Sequence, residues 1–421
     1  MTMESPRGRD AVTRAAERVY REEHAGILAG LIRLCGDFSL AEDVVQEAFS
    51  RALEHWSDAG VPPNPGGWIT TTARRLAIDQ LRKARRHRAK EATILRLQEE
   101  RSVPPEVTLP GEDGPQDDRL RLIFTCCHPA LAVEAQVALT LRTVAGLSTR
   151  EIARAFVVPD TTMGQRIVRA KRKIRDAGIP FRVPAGAALE ARLGAVLTVI
   201  YLVFNEGYAS TEGDGLMRPE LGAEAIRLAR LLRELMPGEP EVRGLLALLL
   251  LQHSRRKART LDGDLVLLPD QDRSLWDAAA IGEGCGLVDE ALREGRVGPY
   301  QIQAAIAALH CSARTAAETD WAQISALYTV LERIHPTPVV RLNRAVAVAM
   351  ERGPEVGLEM LDALELASAL DRHPLYHSAR ADLLRRLGRA TEARNAYDRA
   401  LALCENPVER RFLRGRLSEL E

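Results

Sequence analysis

Paired cysteines are missing from this 421-residue sequence. Its six cysteines, Cys35, Cys126, Cys127, Cys285, Cys311 and Cys404, fall at no ligand-pair spacing, which argues against a disulfide framework or a zinc ribbon. Cys126-Cys127-His128 is the one cluster that invites a metal. Adjacent side chains on a helix diverge by about 100° and no second ligand pair is visible, so no metal is expected and these cysteines read as buried structural groups. Aromatics are scarce, at four Trp, seven Tyr and seven Phe, while Ala, Leu and Arg abound; a mostly helical chain follows. No phosphate loop is visible, and no nucleophile beside a partnered base, so neither an enzyme nor a cofactor is expected. The charged, polar N-terminus does not resemble a signal peptide, and no apolar run is expected to reach the length that spans a bilayer. The expected location is the cytoplasm, with no membrane partner.

Net charge is absent too, with 58 Lys and Arg balancing 58 Asp and Glu, which taken whole argues against a nucleic-acid binder. Dividing the chain reverses that reading. Residues 1–183 hold 29 basic against 24 acidic side chains and the remainder 29 against 34, so a mildly basic half is joined to a mildly acidic one.

The strongest positive pattern is Gly146-Leu147-Ser148-Thr149-Arg150-Glu151-Ile152-Ala153, followed by Val158-Pro159-Asp160-Thr161-Thr162-Met163. Ser148 or Thr149 can cap a first short helix, Glu151 favours its start, and Pro159 stops it because residues before proline avoid the helical region. Asp160 or Thr161 restarts the chain as a second helix, in which Met163, Ile167, Ala170 and Ile174 recur at helical spacing and face the protein. Thr162, Gln165, Arg166 and Arg169 are thereby turned outward, and Lys171, Arg172, Lys173 and Arg175 leave the helix end positive. Two short helices joined by a tight turn, the second carrying unopposed charge, outline a reader of duplex DNA.

Further upstream, residues 39–56 form a helix whose Ala41, Val44, Val45, Ala48, Phe49, Ala52, Leu53 and Trp56 make a broad buried face, with Glu42, Asp43, Gln46 and Glu47 towards the other side. Val61-Pro62-Pro63-Asn64-Pro65-Gly66-Gly67 reads as a loop, and Trp68 begins a helix towards Lys83. Arg74, Arg75, Arg82, Lys83, Arg85, Arg86, Arg88 and Lys90 are opposed there only by Asp79, which gives a second basic surface. Residues 101–117 are rich in Pro, Gly and acids and read as a flexible linker. Near the C-terminus Ala381, Gly388, Ala393, Tyr397 and Ala400 sit at the spacing of a tetratricopeptide unit, and Gly353 marks a preceding helix pair over residues 336–366.

In this order and at these separations, residues 12–176 resemble the extracytoplasmic-function sigma factors of bacterial RNA polymerase. The resemblance implies that Ala41-Glu42-Asp43-Val44-Val45-Gln46-Glu47-Ala48-Phe49 docks on core polymerase through Asp43, Gln46 and Glu47. It implies that Trp68, Arg74, Arg75, Asp79, Arg82 and Lys83 lie on the helix that opens the minus-ten element, with the proline-glycine loop holding a flipped base. Thr161, Thr162, Gln165, Arg166, Arg169, Lys171 and Arg172 would read the minus-thirty-five element. Arg75 stands where the family often has Asn, Val157 where the turn often has Gly, and Gly164 where the recognition helix often has Lys.

The long C-terminal part resembles the subgroup with a tetratricopeptide-like extension, and Asp262, Gly263, Asp264, Gln271, Asp272, Arg273, Trp276 and Asp277 resemble a signature of it. That segment can form a structural network, a partner surface or a metal site. A network is the first expectation, because an Asp-Gly-Asp turn readily satisfies local amides, and the oxygen spacing of a calcium loop is absent. The expected fold is all-α. Sigma region 2 is expected at 12–90, a linker at 91–117, sigma region 4 at 118–178, and a helical regulatory domain with repeats at 184–421, open to a protein partner or signal. The competing reading is a one-component regulator with a ligand- or peptide-binding repeat domain, which would have no use for the docking helix.

Overall fold

The computed structural model describes residues 6–96, 118–156, 158–208 and 219–420. Most of the expected linker at 91–117, and the departure at Val157, lie outside them. The chain divides into two compact units, residues 1–199 without 155–157, and residues 200–421 with 155–157.

In the first unit, α1 (Pro6–Cys35), α2 (Phe38–Ala59) and α3 (Pro65–Arg96) pack on one another, followed by α4 (Asp118–Cys126), α5 (Val133–Thr143), α6 (Thr149–Ala155) and α7 (Asp160–Asp176). The division between the units falls inside α8 (Ala187–Tyr208). Asp37 caps α2 by accepting from the Leu40 amide at 2.9 Å, and its Ala41, Val44, Val45, Ala48, Ala52 and Trp56 are buried as the periodicity requires. Leu53, expected on that face, is 42% exposed, and Glu42, expected outside, is buried. The helix is covered from a direction that a wheel drawn for it alone does not contain. Cys126 and Cys127 are fully buried, with their thiols against the hydroxyls of Thr143 and Thr140, and burial pushes the Cys127 thiol up to about 12.

The expectation of no bilayer-length apolar run needs correction. By length and composition the 22-residue α8 is long and apolar enough to cross a membrane. Its Val196, Val199, Ile200, Val203 and Phe204 are all buried at 2% exposure or less, which is the use a core helix makes of the same composition.

In the second unit α9 (Pro219–Leu235) and α10 (Pro240–Ser254) are followed by a two-stranded hairpin, β1 (Thr260–Leu261) and β2 (Asp264–Leu265). Then come α11 (Ala278–Arg293), α12 (Pro299–Ser312), α13 (Trp321–Ile334), α14 (Pro338–Arg352), α15 (Pro354–Asp362), α16 (Leu364–Leu370), α17 (Pro374–Arg386), α18 (Ala390–Leu403) and α19 (Pro407–Ser418). Among the described residues the fold is all-α but for the hairpin. α10 is buried nearly all round, from Val242 to Leu251, between α9, α11 and α12. Gly388, at φ 71°, turns α17 into α18, and Ala381, Ala393, Tyr397 and Ala400 are buried where the pair crosses. Gly353, at φ 107°, turns α14 into α15 in the same manner.

Candidate nucleic-acid interface

α6 begins with a reciprocal capping box. The Glu151 amide donates to Ser148 Oγ at 3.1 Å, and the Ser148 amide donates to Glu151 Oε2 at 2.7 Å. Of the two candidate caps, Ser148 is therefore the one used. α7 follows from Pro159 and buries Met163, Ile167, Ala170 and Ile174. Thr161, Thr162, Gln165, Arg169 and Arg172 are exposed, and Arg166 is half-buried. Arg169 Nη2 donates to Gln165 Oε1 at 3.2 Å, which couples a guanidinium to the amide one turn earlier. Beside them a recess of about 370 Å³ opens between α7 and the start of α5, lined by Leu131, Ala132, Thr162, Gln165, Arg166 and Arg169.

Lys171 does not stand outward as the sequence pattern expects. Its ammonium is paired with the Glu42 carboxylate on α2, its side chain is 14% exposed, and it lies 5.9 Å from the Phe38 ring. Arg142 on α5 completes the group at 3.9 Å from Glu42. One carboxylate thus joins α2 to α5 and α7, and a second link runs from Arg33 on α1 to Asp118 on α4 at 2.9 Å. Neither tertiary pairing leaves a trace in local periodicity.

On α2, Asp43, Gln46 and Glu47 are exposed, and Glu47 accepts from Arg51 at 2.8 Å one turn on. α3 starts earlier than the sequence suggests. Pro65 takes the first helical position, where its missing N–H costs nothing, and Asn64 Oδ1 accepts from the Gly67 amide at 2.9 Å, so Gly66 and Gly67 belong to the helix and not to the loop. Trp68 is set edge-on against the buried Trp56, at 5.7 Å and 67°, and stacks on His55 at 5.6 Å. A shallow recess of about 620 Å³ is lined by Pro62, Asn64, Trp68, Thr71, Thr72 and Arg75. Ile69, Ala73 and Ala77 bury the opposite stripe. With about 100° per residue, Trp68, Arg75, Asp79, Arg82 and Lys83 share one face, and Arg74 falls to its side. Arg74, Arg75, Asp79, Arg82 and Lys83 are all exposed.

Residues 19–87 match Sigma-70 region 2, and residues 121–174 match Sigma-70, region 4. The ECF RNA polymerase sigma factor SigL of Mycobacterium tuberculosis is 32% identical over 170 residues, covering 40% of this chain and 92% of that protein. This chain belongs to the ECF sigma factors. Sigma factors are non-enzymatic transcription initiation factors that bind core RNA polymerase and promoter DNA. The probable ECF sigma factor SigI of Mycobacterium tuberculosis is 28% identical over 197 residues, covering 45% of this chain and 67% of its own. An uncharacterized protein of Rhizobium meliloti is 46% identical over 407 residues, covering 93% of both chains, so the long form of this ECF sigma factor recurs there. Residues 192–292 match a family of unknown function, DUF6596. No solved structure matches.

In this ECF sigma factor the 262–277 segment is held by both local and long-range contacts. Asp262 and Gly263, both at positive φ, form the two-residue turn of the β1–β2 hairpin. Asp264 pairs with Arg411 on α19 at 3.0 Å, Asp272 accepts from the Ser274 amide, and Asp277 caps α11 through the Ala280 amide. Gln271 donates to the Val266 carbonyl, while Arg273 stacks at 4.4 Å on the Trp276 ring and donates to the His310 and Ala313 carbonyls. Among the described residues no group of three or more metal-ligating side chains occurs.

Proposed function

We propose that α2 offers Asp43, Gln46 and Glu47 to core RNA polymerase, that the recess at the start of α3 receives a base extruded from the minus-ten element, and that α7 reads the minus-thirty-five element as duplex. The observation that carries this is the presence, within one unit matching Sigma-70 regions 2 and 4, of an exposed acidic stretch and two exposed basic helix faces. Extruding a base costs a few kcal/mol of unstacking, so the receiving site needs an aromatic surface and cations for the backbone. Trp68 supplies the first; Arg74, Arg75, Arg82 and Lys83 supply the second, with Asp79 the acid among them. Thr161, Thr162, Gln165 and Arg166 face base edges at the helix start, and Arg169 and Arg172 neutralise phosphate. Lys171 joins them once it leaves Glu42.

Residues 12–90 and 118–178 are then regions 2 and 4, joined by the end of α3, which runs to Arg96 where the sequence suggests linker, and by a linker over 97–117, and residues 184–421 are a regulatory domain of tetratricopeptide-like hairpins. Two features support that last reading: stacked helix pairs build concave partner surfaces, and this part carries the acidic excess. Its partner is a protein or a signal, and polymerase and promoter place the chain's work in the cytoplasm.

The docking assignment is tested by the double variant Asp43→Lys, Glu47→Lys. It is expected to fold as the parent does by circular dichroism and to lose co-purification with core polymerase. Normal co-purification overturns the assignment.

A further inference from the structure

The second unit contains three guanidinium groups, Arg255, Arg259 and Arg273, that make no ion pair among the described residues. Arg255 and Arg259 are 8% and 9% exposed, and Arg273 is half-buried. Aromatic rings tie them into one cluster. The Tyr208 hydroxyl accepts from Arg255 Nη2 at 3.1 Å, and the Tyr208 ring lies 3.6 Å from the Arg259 guanidinium. Trp276 lies 5.9 Å from Arg255 and 4.4 Å from Arg273, and Arg273 donates to the His310 carbonyl at 2.8 Å.

Every acceptor given to these arginines among the described residues is neutral: the Tyr208 hydroxyl and carbonyl, the Gln252 side-chain oxygen, and the His310 and Ala313 carbonyls. Four carboxylates of this unit have partners of their own. Asp264 holds Arg411, Asp277 holds Arg256, Asp272 caps Ser274, and Glu409, whose field reaches Arg259, accepts from the Cys404 thiol. Buried charge without a partner is strongly unfavourable, and cation–π contact recovers part of the lost hydration while neutralising nothing. The cluster also holds donors with no acceptor among the described residues: Arg255 Nε and Trp276 Nε1 are buried and unpartnered there. His310 is kept neutral, pushed down to about 4 by burial and by Arg255 and Arg273, so the surroundings are electropositive and do not offset themselves.

We infer that Arg255, Arg259 and Arg273, with Tyr208 and Trp276, form a binding site for the oxyanion group, phosphate or carboxylate, of a small molecule. Surplus forked N–H donors beside a positive field suit a group with several acceptor oxygens and negative charge. Tyr208, Arg273 and His310 remain partly exposed, so the cluster reaches solvent on that side. The site stands on the arginines alone; under the regulatory reading of the C-terminal part it supplies that part with a signal to sense.

The test uses the full chain, with inorganic phosphate, pyrophosphate and citrate as probes and sodium chloride at matched ionic strength as control. Calorimetric titration and thermal melting are expected to show saturable binding to at least one oxyanion that chloride does not reproduce. The phosphate and citrate arms tell a phosphoryl from a carboxylate ligand. Arg255→Met and Arg259→Met are expected to weaken that binding tenfold or more, while melting no lower than the parent without ligand, since each removes an uncompensated buried charge. No saturable binding by the parent to any of the three overturns the inference, and so does undiminished binding by the Met variants. Each of these results leaves the polymerase and promoter assignments where they stand.

Discussion

Glu42 is the residue at which the sequence misleads most. Its position on α2 beside Asp43 and Glu47 suggests one acidic stretch, yet it is buried and shared by Arg142 and Lys171. Removing one partner of a buried ion group leaves the others charged and unmatched, so Glu42→Gln is expected to lower unfolding stability by about 3 kcal/mol in a denaturant melt. A loss within measurement error would mean that water screens the group. His24 carries a pH signature. Burial, and then the nearby Arg142 guanidinium, hold its imidazole down to about 4 from an ordinary 6.5. The folded chain therefore stays unprotonated where the unfolded chain takes up a proton; stability is full above pH 6.5 and is lost as pH falls from 6.5 through 4. His310 adds the same dependence in the other unit. His24→Gln is expected to flatten the fall of the melting temperature over that range, and an unchanged slope contradicts the assignment. Neither effect is legible in sequence, because both arise from contacts such as Glu42 with Lys171, 129 positions apart.

Elements are read from sequence with more success, wherever the cause is local. The buried stripe of α7, the capping of α6 by Ser148 and the Gly388 turn all follow from residues within one or two turns of each other. The start of α3 differs from the sequence expectation because Pro and Gly read as breakers, whereas Pro at the first helical position and an Asn cap make a helix start of the same residues. The β1–β2 hairpin is not legible for a related reason: Asp262-Gly263 carries the turn signal, but strands of two residues have no alternation to detect. Under the proposed function the outward side chains of α7 divide by role. Gln165→Ala or Arg166→Ala is expected to shift upstream-element preference, with about 1–3 kcal/mol per base contact, while Arg172→Ala weakens all promoters alike and flattens the salt dependence. Equal losses on matched and scrambled upstream elements from all three, by electrophoretic mobility shift of the holoenzyme, contradict this division.

For the whole molecule, the balanced charge conceals a basic half and an acidic half, and the structure likewise divides into two compact units. The all-α class was legible from composition and periodicity, since scarce aromatics and abundant Ala and Leu leave little material for sheets. The arginine cluster of the second unit was not, because Tyr208, Arg255 and Trp276 come from three separate elements. A one-component regulator has no place for the match to Sigma-70 region 2 over residues 19–87, which sets that reading aside. The central claim is that this chain gives core RNA polymerase its promoter choice through both basic faces. Run-off transcription with purified core polymerase and the full chain, on a library of promoter fragments, tests it most directly. The account predicts transcripts that start at a restricted set of sites, require the chain, and disappear with Arg75→Ala, Arg82→Ala and Lys83→Ala combined while core binding persists. Transcripts independent of the chain, or unchanged by the triple variant, would contradict it.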